Sequence, residues 1–360
     1  MVQSSYNRGD EAMLESRDTR QQSMFGSYVY DRVVSKEHLL RKINQTIDFS
    51  FVNKACADLY CLDNGRPGWS PMLMFKVIFL QFLYDLSDYR IEEELNDRLS
   101  FKMFIGLDVE EAPPDHSSVS RFRDRLGPER FKELFNRIVE LARSKDIISD
   151  KLHIIDATVV RAKVDLYRIK EEHGDDEPDT YIDNHSPDKD ARPGKSFKGK
   201  QFYGYKAHCL LDAESEIIVN TDATSGNVRE HTQLPPLSDA VPHPHVITAD
   251  KAYDCQENHA FASGNRIRNG IMVKSNHTKE YLNTHVKRIS KVAKRYRSII
   301  EHKFAECKKH HGLRVARYWG LTKMRIQAYM TAICVNVKRM IKLLYHCASP
   351  PKIYLRRVAA

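Results

Sequence analysis

The sequence predicts an α/β protein in two parts, an all-helical N-terminal domain followed by a mixed-sheet core carrying helices. Three observations lead there. Across residues 36–145 apolar side chains recur at three- and four-residue spacing, the period of a helix face. After Asp150 the texture changes to short apolar runs separated by turn residues, the pattern of strands. Two long amphipathic segments then close the chain.

Residues 1–30 are polar and rich in Ser, Gln and Arg, and are expected to form a flexible segment. Residues 31–148 make up the expected helical domain. Met72, Phe75, Ile78 and Phe82 line one helix face, and Pro71 suits its first turn, where a backbone N–H has no helical acceptor. Ile91, Leu95 and Leu99 repeat the pattern, as do Phe131, Leu134, Ile138 and Leu141. The break Pro113-Pro114-Asp115 restarts a helix at Ser117, with Val119, Phe122 and Leu126 on an apolar face and Arg121 and Arg125 on a basic one. A helix-turn-helix that reads DNA fits this outline, and helices that only pack or dimerise fit it equally.

Residues 149–345 are expected to form the core. Residues 151–162 read as a strand, and 163–200, rich in Asp, Pro and Lys, as a long polar surface loop. Residues 201–211 and 216–222 form a hairpin turning through Asp212-Ala213-Glu214-Ser215. A helix over 230–240, a strand over 245–250, a polar helix over 256–263 and a strand over 270–273 follow. The helix over 286–311 stacks Val292, Tyr296, Ile299, Ile300, Phe304 and Cys307 on one stripe, and another covers 321–344. Residues 346–360 read as a tail, and no internal repeat is evident.

Charge narrows the function. Residues 271–360 hold 21 lysines and arginines against Glu280, Glu301 and Glu306, a net +18, so the other 270 residues carry −9 of the chain's overall +9. A short basic run would be a solvated helix face, but ninety residues of it point to a polyanion such as nucleic acid. The longest apolar run is interrupted by Lys76 and Gln81, which argues against a membrane span. The N-terminus has no apolar signal core, and seven scattered cysteines without a CxxC pair suit reduced thiols, so a cytoplasmic location is expected.

Two motifs are decoys. The run from Gly194 to Lys200 has phosphate-loop spacing, but Gln201 stands where a hydroxyl should hold Mg²⁺, and a strand rather than a helix is expected to follow. His302, Cys307, His310 and His311 cluster on one helix without a second pair at zinc-site spacing. The acids are more informative. Asp156 interrupts an apolar strand, and a carboxylate buried there needs a cation or hydrogen bonds. Asp250 ends a later strand, and Glu301 lies in the long basic helix with Arg297 one turn before it and Lys308 two turns after. Singly, each acid reads as a cap or a salt bridge. As an ordered set they form a cluster of hard oxygen ligands suited to Mg²⁺ or Mn²⁺, with two ions about 4 Å apart serving an in-line phosphoryl transfer.

These residues resemble the bacterial insertion-sequence transposases of the DDE class, whose catalytic core is ribonuclease-H-like. The resemblance rests on His38-Leu-Leu-Arg-Lys-Ile, Gly65-Arg-Pro-Gly, Leu86-Ser-Asp, Phe104-Ile-Gly-Leu, Pro114-Asp-His-Ser-Ser and Arg121-Phe-Arg in the first part. In the core it rests on Ile155-Asp-Ala-Thr, Gly204-Tyr-Lys-Ala-His, Ala249-Asp-Lys-Ala-Tyr, Arg297-x3-Glu301-x6-Lys308 and Asn336-Val-Lys-Arg. It implies Asp156, Asp250 and Glu301 as the metal-binding catalytic triad; Thr158, two residues after Asp156 on the same strand face, is expected from that spacing to help orient it. Arg297, Lys308, Lys294 and Lys206 in the core, with Arg121 and Arg125 before it, are the expected DNA contacts. Relatives often carry a tyrosine three residues before the arginine; that place is Lys294 here, with Tyr296 beside Arg297. The implied activity is metal-dependent cleavage at an element's terminal inverted repeats and strand transfer into target DNA by a homodimer on DNA. A related nuclease that does not join strands, a catalytically silent DNA-binding protein and a non-DNA hydrolase remain as alternatives.

Overall fold

The computed structural model describes residues 23–59, 68–173, 178–195, 201–274 and 284–345, with the side chains of 167, 173, 178–181 and 284–295 outside the described set. The expected tail over 346–360, the first 22 residues and the end of the rejected phosphate-loop run therefore lie outside it. The chain divides into two compact units, Met1–Leu134 and Phe135–Ala360.

The first unit is helical, as its periodicity predicts: α1 (Met24–Val33), α2 (Leu39–Thr46), α3 (Phe51–Ala55), α4 (Pro71–Leu83), α5 (Asp88–Asp97), α6 (Leu99–Ile105) and the start of α7 (His116–Ser144). Helix α4 has eleven of its thirteen residues buried, so it is the central helix of the unit rather than an amphipathic surface one. Ser70 caps it by accepting from the Leu73 amide at 3.2 Å, and Pro71 occupies the first turn. Phe49 meets Phe75, Phe79 and Phe104 with ring centroids 6.0–6.2 Å apart. The chain already turns helical at Met24, so residues 24–30 are not a flexible segment. The buried Tyr30 explains this, since its hydroxyl donates to the Leu107 carbonyl at 2.8 Å. Helix α7 breaks at Gly127, whose φ of +67° favours glycine, and Pro128 starts its second stretch.

The second unit is built on a mixed sheet of β1 (Leu152–Arg161), β2 (Arg192–Lys195), β3 (Gln201–Asp212), β4 (Ile218–Ser225), β5 (Val246–Ala249) and β6 (Arg268–Ile271). β3 lies antiparallel to β1, and both β4 and β2 lie antiparallel to β3; β5 runs parallel to β1, and β6 to β5. The order β4-β3-β1-β5-β6, antiparallel on one side and parallel on the other, is that of a ribonuclease-H-like sheet. Ile155, Leu210, Val219, Ile247 and Ala249 face a core completed by Leu234 and Leu237 of α10 (Leu234–Asp239), by Tyr253, and by Ala262 of α11 (Gln256–Gly264). Helix α12 (Thr284–His310) packs against β1, β5 and β6, and α13 (Leu321–Tyr345) against β3 and β4. The buried Asn336 of α13 both donates to and accepts from the Ile218 backbone at 2.8 Å.

The expected polar loop over 163–200 is a correction. It contains α8 (Leu166–His173), α9 (Pro178–His185) and the strand β2. What orders its end is polar rather than apolar. Fully buried Asp188 accepts from the Ala191 amide at 3.3 Å, the Gly320 amide at 3.1 Å and the Tyr205 hydroxyl. The last strand also lies two residues earlier than expected, because Val246 through Ala249 pair with Arg268 through Ile271.

Candidate active site

Parallel strands β1 and β5 run side by side to the pair Ile155 and Ala249. The next residue on each chain is an aspartate. Because strand side chains alternate, Ile155 and Ala249 enter the core beneath the sheet while Asp156 and Asp250 turn toward α12. This is the carboxyl end of a parallel pair, where open α/β sheets present their ligand sites. Helix α12 supplies the other wall of a cleft lined by Ile154, Asp156, Thr248, Asp250, Met272, Arg297 and Ile300.

The side chains are held closely. Asp156 Oδ1 accepts from the Ala157 amide at 2.8 Å, and Asp250 Oδ1 accepts from the Ala252 amide at 2.8 Å. Arg297 Nε donates to Glu301 Oε1 at 2.9 Å, and Arg297 Nη1 lies 3.8 Å from Asp250 Oδ2. One guanidinium thus stands between the second aspartate and the glutamate. Burial pushes the Asp156 carboxyl up to about 7, the Ala157 amide and Arg297 oppose the rise, and the charges of Asp250 and Glu230 add to it. Fully buried Tyr253 has no hydrogen-bond partner for its hydroxyl among the described residues. Burial and then the charges of Asp156, Glu230 and Asp250 hold its proton well above the ordinary range.

These observations fit a hard divalent cation. Asp156 and Asp250 are oxygen donors, the charge of Asp250 adds to the cost of ionising Asp156, Glu301 faces them across Arg297, and a buried hydroxyl lies without a partner beside them. The ligand atoms of the three acids do not form a closed set. Among the described residues, the trio whose ligand atoms all lie within 4.8 Å of one another is instead Asp150, His153 and Asp212. That trio is occupied by protein. Asp150 pairs with Arg143 and with His153 Nε2 at 2.8 Å; Asp212 accepts from the Asp150 amide at 3.1 Å and from the Ser215 amide and hydroxyl at 2.9 and 2.6 Å. It ties the start of β1 to the β3–β4 turn.

The other sequence-selected residues scatter. Lys206 is buried, donates to the Val228 carbonyl at 3.0 Å and pairs with Glu230 at 3.1 Å, so its charge is spent inside the fold. The half-buried Lys308 has its pKa lowered by burial and then by the charges of Arg314 and Arg161. Lys294 lies on α12, its side chain outside the described residues. Arg121 and Arg125 are exposed on α7, and Arg121 donates to Ser117 Oγ at 2.8 Å. Arg123 between them is buried in a two-pronged pair with Asp88 at 2.9 and 2.8 Å. No hydrogen bond joins Thr158 to Asp156 among the described residues. Of the rejected zinc set, Cys307 and His311 are buried while His302 and His310 are exposed. Glu230 and Tyr253 were not selected from sequence; Tyr253 could have been, as it closes the run Ala249-Asp-Lys-Ala-Tyr.

A ribonuclease-H-like sheet with two aspartates at the ends of parallel neighbours, faced by a glutamate on a basic helix, defines a class of carboxylate-centred nucleic-acid-processing folds. Residues 149–337, more than half of the chain, match the family described as Transposase DDE domain, and residues 28–125 match the Transposase domain DUF772. The chain belongs to the transposase DDE-domain family. It is similar to the transposase for insertion sequence element IS1106 of Neisseria meningitidis serogroup B, with 31% identity over 186 residues that span 51% of this chain and 63% of that relative. It is distantly similar in structure to a piggyBac transposase synaptic complex with hairpin DNA, at 12% identity and a TM-score of 0.43, covering 87% of this chain and 76% of that one. A Mos1 transposase paired-end complex with left transposon end gives 11% identity and a TM-score of 0.20, covering 77% and 83%.

Proposed function

We propose that the chain is an insertion-sequence transposase that cuts the ends of its element and joins them to target DNA. The observation that carries this is the placement of Asp156 and Asp250 side by side at the end of β1 and β5, with Arg297 and Glu301 of α12 facing them. Mg²⁺ or Mn²⁺ held by Asp156, Asp250 and Glu301, as two ions, would supply Lewis-acid activation of the phosphodiester and the attacking oxygen. Water attacks the phosphorus at the element's end, the bond to the 3′ oxygen breaks, and a 3′-hydroxyl leaves. That hydroxyl, losing its proton, then attacks a target phosphorus; the target's own P–O3′ bond breaks, the proton is taken up by the departing target 3′ oxygen through solvent, and no covalent link to protein forms. Arg297 neutralises Glu301 and Asp250 between turnovers and offers its remaining donors to a phosphate. In this reading the helical unit binds and synapses the terminal inverted repeats, a homodimer acts on DNA in the bacterial cytoplasm, and the basic last third grips the backbone.

The test replaces Asp156 and Asp250 with Asn and Glu301 with Gln, one at a time. Each variant is expected to lose Mg²⁺-dependent end cleavage while binding element-end DNA as the wild type does. Full cleavage by any one of them would overturn the triad. Cut ends without joined products would make the protein a nuclease instead.

A further inference from the structure

The one-turn helix Lys251–Tyr253 carries the chain from Asp250 around the end of the sheet. Asp250 stands on the α12 side, near Arg297, whereas the Tyr253 ring packs on the other side with Ile155, Leu210 and Ala249. β5 stops at Ala249, so this strand does not flank β1 beyond Ile155. Beside that end lies a second one-turn helix, Glu230–Gln233, which packs against Lys251–Tyr253. Buried Asn258 of α11 fixes the two turns together, donating from Nδ2 to the His231 carbonyl at 3.1 Å and to the Tyr253 carbonyl at 2.9 Å.

This arrangement brings to the site an acid outside the set of Asp156, Asp250 and Glu301. Glu230 Oε1 lies 3.1 Å from Nζ of the buried Lys206, whose side chain leaves β3 on the face that Leu210 shares with the Tyr253 ring. Glu230 Oε2 has no hydrogen-bond or ion-pair partner among the described residues. The Tyr253 hydroxyl, fully buried, has none either. An open carboxylate oxygen and a buried, unpartnered hydroxyl at one end of a sheet call for a ligand. After burial, the charges of Asp156, Glu230 and Asp250 fall together on that hydroxyl, and those of Asp250 and Glu230 on Asp156.

A salt bridge alone explains little here. Taking Lys206 out of water costs about as much as its pairing returns, so the pair adds little net stability. A hard divalent cation gives the acid a use, since such an ion takes about six oxygen ligands and three carboxylates leave places open. We propose that Glu230 is a fourth carboxylate of the cation site at Asp156 and Asp250, and that Lys206 is its counter-charge when no ion is bound. The inference rests on the reading of Asp156 and Asp250 as metal ligands.

The experiment titrates Mn²⁺ into the full chain without DNA and follows free Mn²⁺ by electron paramagnetic resonance. Glu230→Gln should weaken binding by about 10- to 100-fold, the usual loss when an oxygen partner of a metal site is removed. Lys206→Gln should instead tighten it by about fivefold, because a unit charge no longer opposes the divalent ion. A purely structural salt bridge predicts that both substitutions weaken binding alike or leave it unchanged, and either result overturns the proposal. Should Glu230→Gln fail to fold with the Lys206 ammonium stranded, the double variant Lys206→Gln, Glu230→Gln leaves neither charge. It should bind Mn²⁺ about 10- to 100-fold more weakly than Lys206→Gln alone, and equal binding by those two would refute the fourth acid. If Asp156→Asn loses Mn²⁺ while Glu230→Gln keeps it, only the fourth acid falls. If the wild type and Asp156→Asn bind alike, the whole cation site falls with it.

Discussion

Replacing Glu306 with Gln should unpin the helix that carries half of the candidate site. Glu306 lies on α12 between two ammonium groups: Lys303 at 3.0 Å and Lys338 of α13 at 2.9 Å. Lys303 is only 4% exposed, so removal of the acid strands a buried cation. Burial works against the carboxylate, yet Lys303 and Lys338 outweigh it and pull the pKa from 4.5 down to about 2. A depressed carboxylate contributes stability that is fully present above its unfolded value and is lost as pH falls through its folded one. The contribution is about 3 kcal/mol at pH 7 and falls to about half of that at pH 3. Urea denaturation of wild type and Glu306→Gln at several pH values between 7 and 3 should show the gap narrowing in that way. A gap that stays constant across the range, or one below about 1 kcal/mol at pH 7, would refute the argument.

Gly204 lies in β3 with φ +151°, where an added Cβ would press on the Val160 carbonyl oxygen and lie 2.6 Å from the Ala162 amide. Gly204→Ala should therefore destabilise the protein by about 2–3 kcal/mol through forced separation of β1 and β3, and an unchanged urea midpoint would contradict this. Asp188→Ala leaves the Tyr205 hydroxyl and the Ala191 and Gly320 amides without their acceptor, at a cost on the order of 3 kcal/mol. Hydrogen exchange at the Gly320 amide should quicken selectively in that variant, and uniform exchange across the second unit would argue against a local brace.

How far the fold could be read from sequence depends on what holds each part. α7 and α12 bury one apolar face, whose 3.6-residue period is visible along the chain, whereas α4 and the middle of α13 are buried nearly all round and show as continuous apolar runs. α8, α9 and β2 read as loop because two eight-residue helices and a four-residue strand in a polar stretch are too short to show a hydrophobic period, and the buried Ile182 stands alone in its helix sequence. The candidate site shows the same division. Arg297 and Glu301 are one helical turn apart, so their pairing is local and legible. Strand alternation seats Lys206 on the Leu210 side, opposite Asp156, yet its partner Glu230 is reached only through the fold. The backbone bridge between Arg161 and Val315 joins segments far apart in the chain and has no local signature at all.

Asn336 carries a consequence for how the sheet ends. Its amide meets both backbone groups of Ile218 on the side of β4 that faces away from β3, so one side chain imitates the strand that would otherwise come next. An unfilled strand edge is a template on which a second chain can add. At Ile218 that template is already taken from within. Because the same amide is rooted in α13, the helix cannot slide along the sheet by even one turn without reopening the edge, and its register and the closure of the sheet are one lock.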